Sequence, residues 1–142
     1  DKAVDLLRSG EYGVLSLNDG GMAYGIPLSF VWDGDEVIYF HCALEGRKLD
    51  IIESNSSASF CVVGKTEVIK FTTSYESIII TGTVCFGLSD DEKMRALELI
   101  LEKYAPNNKV VGQKYAKNSF ARTKVIRMDM VSVSGKGRRM KG

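Results

Sequence analysis

Arg47 and Lys48 open the helix expected over EGRKLDIIESN, residues 45–55, just after a strand that ends in the chain's one histidine, His41. Cations in a first helical turn face the positive end of the helix macrodipole, where anions are favoured. The arrangement makes chemical sense if an anion binds there. Unpaired N–H groups at a helix start are ready donors for phosphate, and Gly46 lets the backbone approach closely. A guanidinium and an ammonium add bidentate hydrogen bonds and a point charge, a pairing suited to a phosphate monoester. His41, Cys42 and Ala43, leaving the strand end as a loop, are candidates for further contacts. A plainer alternative stands beside this one: Arg47 and Lys48 solvate the outer face of the helix, paired with Asp50 or Glu53. His41 has a similar alternative as a hydrogen-bonded structural residue.

Little else in the chain reads as reactive. There is no recognisable nucleophile–base pair, paired acid or Walker-type loop, so no catalytic residue is assigned. Cys42, Cys61 and Cys85 are far apart, odd in number and without C-x-x-C spacing. With a single histidine they make no zinc site, and reduced thiols of a cytoplasmic protein are the expectation. A formal net charge of +1 offers no whole-molecule attraction to nucleic acid or acidic membranes. The basic GKGRRMKG tail reads as solvated and poorly ordered. No apolar run approaches the roughly 20 residues of a membrane span, and no signal-peptide core opens the chain.

These candidates must be held by strands. Residues 2–9 form a short helix stopped at Gly10. YGVLSL and MAYGIPLSFVW flank an Asn18–Gly21 hairpin turn, and Ile26, Leu28, Phe30 and Trp32 recur at period two. Pro27 within that run marks an edge position or a bulge, since proline cannot donate to a ladder. VIYFHC follows, with Ile38 and Phe40 on one face and Val37, Tyr39 and His41 on the other. After the Arg47 helix come SASFCVVG, TEVIKFT and SIIITGTVCFG as strands. Ser89 caps a helix whose Met94, Leu97, Ile100, Leu101 and Tyr104 share one side, ending at Ala105-Pro106. An irregular link then leads to a last strand over 124–135. About seven short strands at hairpin spacing, with two or three helices, predict one antiparallel barrel or sandwich across residues 1–142.

The succession EYGVLSL, YGIPLSFVWDGDEVIYFHCALEGRKLDII, YESIIITGTVCF and DDEKMRALELILEKYAP resembles the pyridoxamine 5′-phosphate oxidase-like FMN-binding split barrels. The nitroimidazole-resistance branch is the most similar. The resemblance implies a mainly β fold with peripheral helices: a six-stranded antiparallel split barrel, forming a homodimer with FMN at the subunit interface. By position it implies that Arg47 and Lys48 hold the FMN phosphate. Ile26, Pro27, Leu28 and Ser29 would run along the isoalloxazine ring, and His41, Cys42 and Ala43 would line the phosphate and ribityl side. Ser77 matches a position near the flavin. The C-terminal tryptophan and arginine region of true pyridoxamine-phosphate oxidases has no counterpart in SGKGRRMKG, which argues against vitamin B6 oxidation. The lone Trp32 reads as a core or interface aromatic.

Two functional classes follow from the resemblance. One is a flavin-dependent oxidoreductase passing electrons to a small flat acceptor, a nitroaromatic in the nitroimidazole-resistance branch. The other is a non-catalytic flavin-binding or redox-sensing protein.

Overall fold

The computed structural model describes residues 2–69 and 72–138. The elements in order are α1 (Lys2–Ser9), β1 (Gly13–Asp19), β2 (Met22–Leu28), β3 (Val31–Trp32), β4 (Val37–Ala43), α2 (Arg47–Ser54), β5 (Ser57–Val63), β6 (Glu67–Ile69), β7 (Thr72–Cys85), α3 (Asp90–Tyr104), α4 (Lys109–Ser119) and β8 (Thr123–Arg138). Strands pair antiparallel in the order β2-β1-β5-β7-β8-β4-β3, and β6 folds back on β7. The path has two ends, β2 and β3, so the barrel is split, not closed. Six long strands, β1, β2, β4, β5, β7 and β8, are the six expected; β3 and β6 add two and three residues.

Alternation builds the core. Leu15 and Leu17 of β1, Ile38 and Phe40 of β4, Phe60 and Val62 of β5, and Ile78 and Ile80 of β7 point inward and are buried. Phe60 meets the rings of Phe30 at 5.0 Å and Phe40 at 4.9 Å, both edge-on, a geometry that aromatic quadrupoles favour. Val37 and Tyr39 on the other face of β4 pack with Ala96, Leu97 and Ile100 of α3. The long β7–β8 pair bends at a register shift between Thr81 and Gly82. A Cβ on Gly82 would stand 2.0 Å from the Asp129 carbonyl oxygen, so this close approach requires glycine. The Ser89 cap is as expected, its Oγ accepting the Glu92 N–H at 3.2 Å.

Two readings need correction. MAYGIPLSFVW is not one strand, because Ser29 and Phe30 leave the ladder. The Phe30 backbone is taken instead by side chains of α3: its N–H donates to Tyr104 Oη at 3.1 Å, and its carbonyl accepts from Lys103 Nζ at 2.7 Å. The irregular link also contains α4. Its inward residues Gly112, Ala116 and Ser119 have helical spacing but are small or polar, so they carry little apolar signal. Trp32 is half-buried beside its hairpin, where its indole N–H donates to the Asp35 carbonyl at 2.9 Å. Lys70 and Phe71 of the expected TEVIKFT strand, and Arg139–Gly142 of the tail, lie outside the described residues.

Candidate functional site

α2 begins at Arg47 behind Gly46, whose φ of 155° and ψ of 165° suit glycine. No side chain caps this N-terminus, and a Cβ on Gly46 would meet nothing within 4 Å. Leu49, Ile51 and Ile52 anchor the helix in the barrel core, so its first turn faces outward as a fixed platform. Arg47 pairs with neither Asp50 nor Glu53. Its Nη2 donates to Asp19 Oδ2 at 2.9 Å, and its guanidinium lies 4.5 Å from the centre of the Tyr24 ring. The helix start is thereby joined to the β1–β2 hairpin.

Lys48 is half-buried and close enough to Cys42 to act on its thiol. Burial pushes the Cys42 thiol up, while Lys48 and Lys124 pull it back. The cations Arg47 and Lys48, the Cys42 thiol and the open helix start therefore form one basic corner. His41 is not part of it. The segment His41–Ala43 is strand, paired with Thr123–Val125 of β8, and not a loop. Alternation turns His41 to the opposite face, into a small cavity with Leu97, Ile100, Tyr115 and Ser119. The residue as a whole stays exposed, but partial desolvation of the ring there holds its imidazole below the usual range.

β2 continues from this corner. Among the described residues it pairs only with β1, which makes it an edge strand, as Pro27 foreshadows. Ile26 and Leu28 are half-buried toward the core, Pro27 is exposed, and Ser29 follows the last ladder pair. Ser77 lies on β7, on a strand that does not carry the basic corner. It pairs with Val63 and Lys136. It shares the outer sheet face with Val63, Cys61 and Ile79.

The residues the sequence reading missed are Asp19 and Tyr24. Asp19 lies in a turn-forming run and Tyr24 on an edge strand, so each has an ordinary local reason to be there. The available signal was the hairpin itself: its Asp19↔Met22 and Leu17↔Tyr24 pairs put both residues near the tip. The donor set suits a phosphate monoester carrying a flat ring. Arg47, Lys48 and the uncapped helix start match the anion, and the open edge of β2 offers amide and carbonyl groups to a polar ring margin.

These elements build an open antiparallel split barrel with peripheral helices. The chain belongs to the Pyridoxamine 5′-phosphate oxidase family, which matches it over residues 1–137. No curated protein matches it in sequence. Among solved structures, a protein of Bacteroides thetaiotaomicron assigned to 5-nitroimidazole antibiotic resistance is similar at 19% identity, TM-score 0.79, over 94% of this chain and 81% of that one. An FAD- and haem-binding protein of Mycobacterium smegmatis is similar at 18% identity, TM-score 0.78, over 96% and 69%. A FAD-binding protein of Mesorhizobium loti is similar at 21% identity, TM-score 0.62, over 94% and 89%. At such identities the likeness establishes the fold.

Proposed function

We propose that this protein binds FMN as a homodimer and passes electrons from the flavin to a small, flat acceptor of the nitroaromatic kind. One observation carries the reading: the Arg47 guanidinium of the helix start lies 4.5 Å from the centre of the Tyr24 ring on the edge strand, so the phosphate corner and the ring strand adjoin. Arg47, Lys48 and the free N–H groups of α2 hold the phosphate. Backbone groups from Ile26 to Ser29 orient the ring. The flavin supplies the redox chemistry, which is why the groove needs no acid–base pair of its own. Two of the three structural relatives cited above bind FAD, which supports a flavin as the ligand class.

A homodimer fits the outer sheet face. Pro27, Val14, Cys61 and Ile79 lie in register across β2, β1, β5 and β7. Val14 is 39%, Ile79 42% and the neighbouring Val63 54% exposed. A contiguous apolar row of this kind marks an association surface. Covering it with a second copy gives the groove the wall a small barrel lacks.

A flavin carrier or sensor without turnover is the second reading. It is favoured by where the ionisable network lies: Tyr39, Glu92, Arg127 and Asp129 bond to one another on the α3 side of the sheet, away from the groove. The test is the absorption spectrum and released cofactor of the purified protein, followed by reduction with NAD(P)H or dithionite and reoxidation by a nitroaromatic. FMN near one per chain with acceptor-dependent reoxidation is expected. Bound FMN without turnover selects the carrier, and failure to bind added FMN rejects both. Arg47→Ala with Lys48→Ala should weaken FMN binding at least about tenfold, as loss of two charge-assisted contacts implies, while the fold persists.

A further inference from the structure

We infer that Asp19 is a built-in competitor for the flavin phosphate and sets how strongly the site prefers a phosphorylated flavin over one without phosphate; this rests on the FMN reading above. Asp19 closes β1 at the hairpin tip, and its carboxylate reaches across 28 positions of sequence to Arg47 Nη2 at 2.9 Å. The carboxylate thus occupies the guanidinium from which a phosphate would draw its bidentate contact. Arg47 has acids on its own helix, Asp50 and Glu53, yet the pair forms with the hairpin. The Tyr24 ring lies beside the same guanidinium, 4.5 Å from its centre.

Magnitude decides that this contact tunes binding and does not block it. The Arg47 and Asp19 side chains are 63% and 39% exposed, and an exposed ion pair is weak. A phosphate dianion that also meets Lys48 and the open α2 start displaces a single carboxylate. It does so at a cost made of the lost pair and of repulsion from Asp19 nearby. A flavin lacking phosphate bears neither. Asp19 therefore holds Arg47 in its binding pose in the empty protein and lowers affinity for the phosphate monoester. Losing phosphate releases Arg47 back to Asp19, which favours exchange of the ligand over permanent retention.

The experiment measures FMN and riboflavin binding by quenching of flavin fluorescence, in the full chain and in Asp19→Asn, Asp19→Ser and the Arg47→Ala/Lys48→Ala pair. Asp19→Asn is expected to tighten FMN by about three- to tenfold, the size of a lost exposed ion pair plus relief of one like charge, and to leave riboflavin unchanged. Asp19→Ser should behave alike, which guards against an effect of asparagine at the turn. Unchanged or weaker FMN binding in both variants overturns the role of Asp19 alone, provided the Arg47/Lys48 pair variant still loses FMN. Equal tightening of riboflavin also overturns it, because the effect would then not involve phosphate. Full FMN affinity in the Arg47/Lys48 variant, or no FMN binding by the parent, overturns the phosphate corner and this inference with it.

Discussion

Tyr104 holds residue Phe30 by its backbone: the Tyr104 hydroxyl accepts the Phe30 N–H at 3.1 Å and lies 2.9 Å from the Phe30 carbonyl oxygen. The same hydroxyl lies 2.7 Å from the Glu11 carbonyl, and Lys103 already serves the Phe30 carbonyl. Its single proton is therefore best spent on Glu11. One side chain at the end of α3 thus pins both the segment before β1 and the break between β2 and β3. Tyr104→Phe leaves the N–H of a fully buried residue without its acceptor, and such a loss costs about 1–3 kcal/mol. Urea unfolding of parent and variant measures it; a difference under a few tenths would mean the latch is not structural.

Lys103 gives this latch a pH signature. Burial pushes its ammonium down to about 8, against the usual 10.5. Between those values the unfolded chain holds a proton that the folded one has released, so stability rises with pH from about 8 to 10.5. The Phe30 carbonyl and ring, 2.7 Å and 3.7 Å from Nζ, favour the cation and work against the shift. Partial exposure weakens it further, leaving a rise of about 1 kcal/mol. Lys103→Met should remove that rise when unfolding is compared at pH 8 and 10. Cysteine titration is common to both proteins and cancels; identical slopes would show that Lys103 stays protonated.

The sheet was legible in the sequence and its interruptions were not. Leu15 and Leu17 alternate with the more open Val14 and Ser16 because only one flank of β1 faces the core. Pro27 announced an edge because its missing N–H is a local fact. Phe30 keeps the same period, yet leaves the ladder through two side chains more than 70 residues away. Pattern cannot register such a contact. Helix α4 hid for the opposite reason: Gly112 and Ala116 pack closely without apolar bulk. At the site, Arg47 and Lys48 stood out because they contradict the helix dipole. Their partner Asp19 did not, since an aspartate at a hairpin tip has its own local explanation.

Gly82→Ala should be among the most costly conservative changes in the chain. Its Cβ would meet a carbonyl oxygen of the paired strand at 2.0 Å, and no flexible side chain can yield there. The bulge must open, at a cost of about 3 kcal/mol. Gly25→Ala is the control: its Cβ would stand 3.5 Å from a Val14 methyl, an ordinary contact, and its effect should stay within about 1 kcal/mol. Thermal unfolding of the two variants separates close approach from general glycine entropy. Equal losses would refute the steric account.

Tyr39 carries the opposite pH sign from Lys103. Burial, then the hydrogen bond to Glu92 Oε2 at 2.7 Å, push its phenol up to about 12. The unfolded chain loses this proton near 10 while the folded one keeps it, so stability falls as pH rises from about 10 through 12. A two-unit shift at about 1.4 kcal/mol per unit bounds the fall near 3 kcal/mol, and about 2 is expected. Tyr39→Phe costs the Glu92 bond at neutral pH but should show a shallower fall above pH 10. Parallel alkaline limbs would mean that Tyr39 does not titrate in this window.

Ile79 tests the assembly on which the flavin groove depends in the proposed reading. It sits between Cys61 of β5 and Ser134 of β8 on the exposed row, with Val63 diagonal to it. Ile79→Glu leaves the barrel core untouched, because Ile78 and Ile80 on either side carry the inward contacts. Stability of the monomer fold should therefore change by under about 1 kcal/mol. A charge at the centre of a desolvated self-contact appears twice in a two-fold dimer, once from each copy, and like charges facing each other there are strongly unfavourable. Sedimentation should then show a dimeric parent and a monomeric variant. Flavin loss with the dimer would place part of the groove on the second copy. A monomeric variant that keeps FMN at full affinity would confine the groove to one chain, and an equally dimeric variant would move the interface off this face altogether.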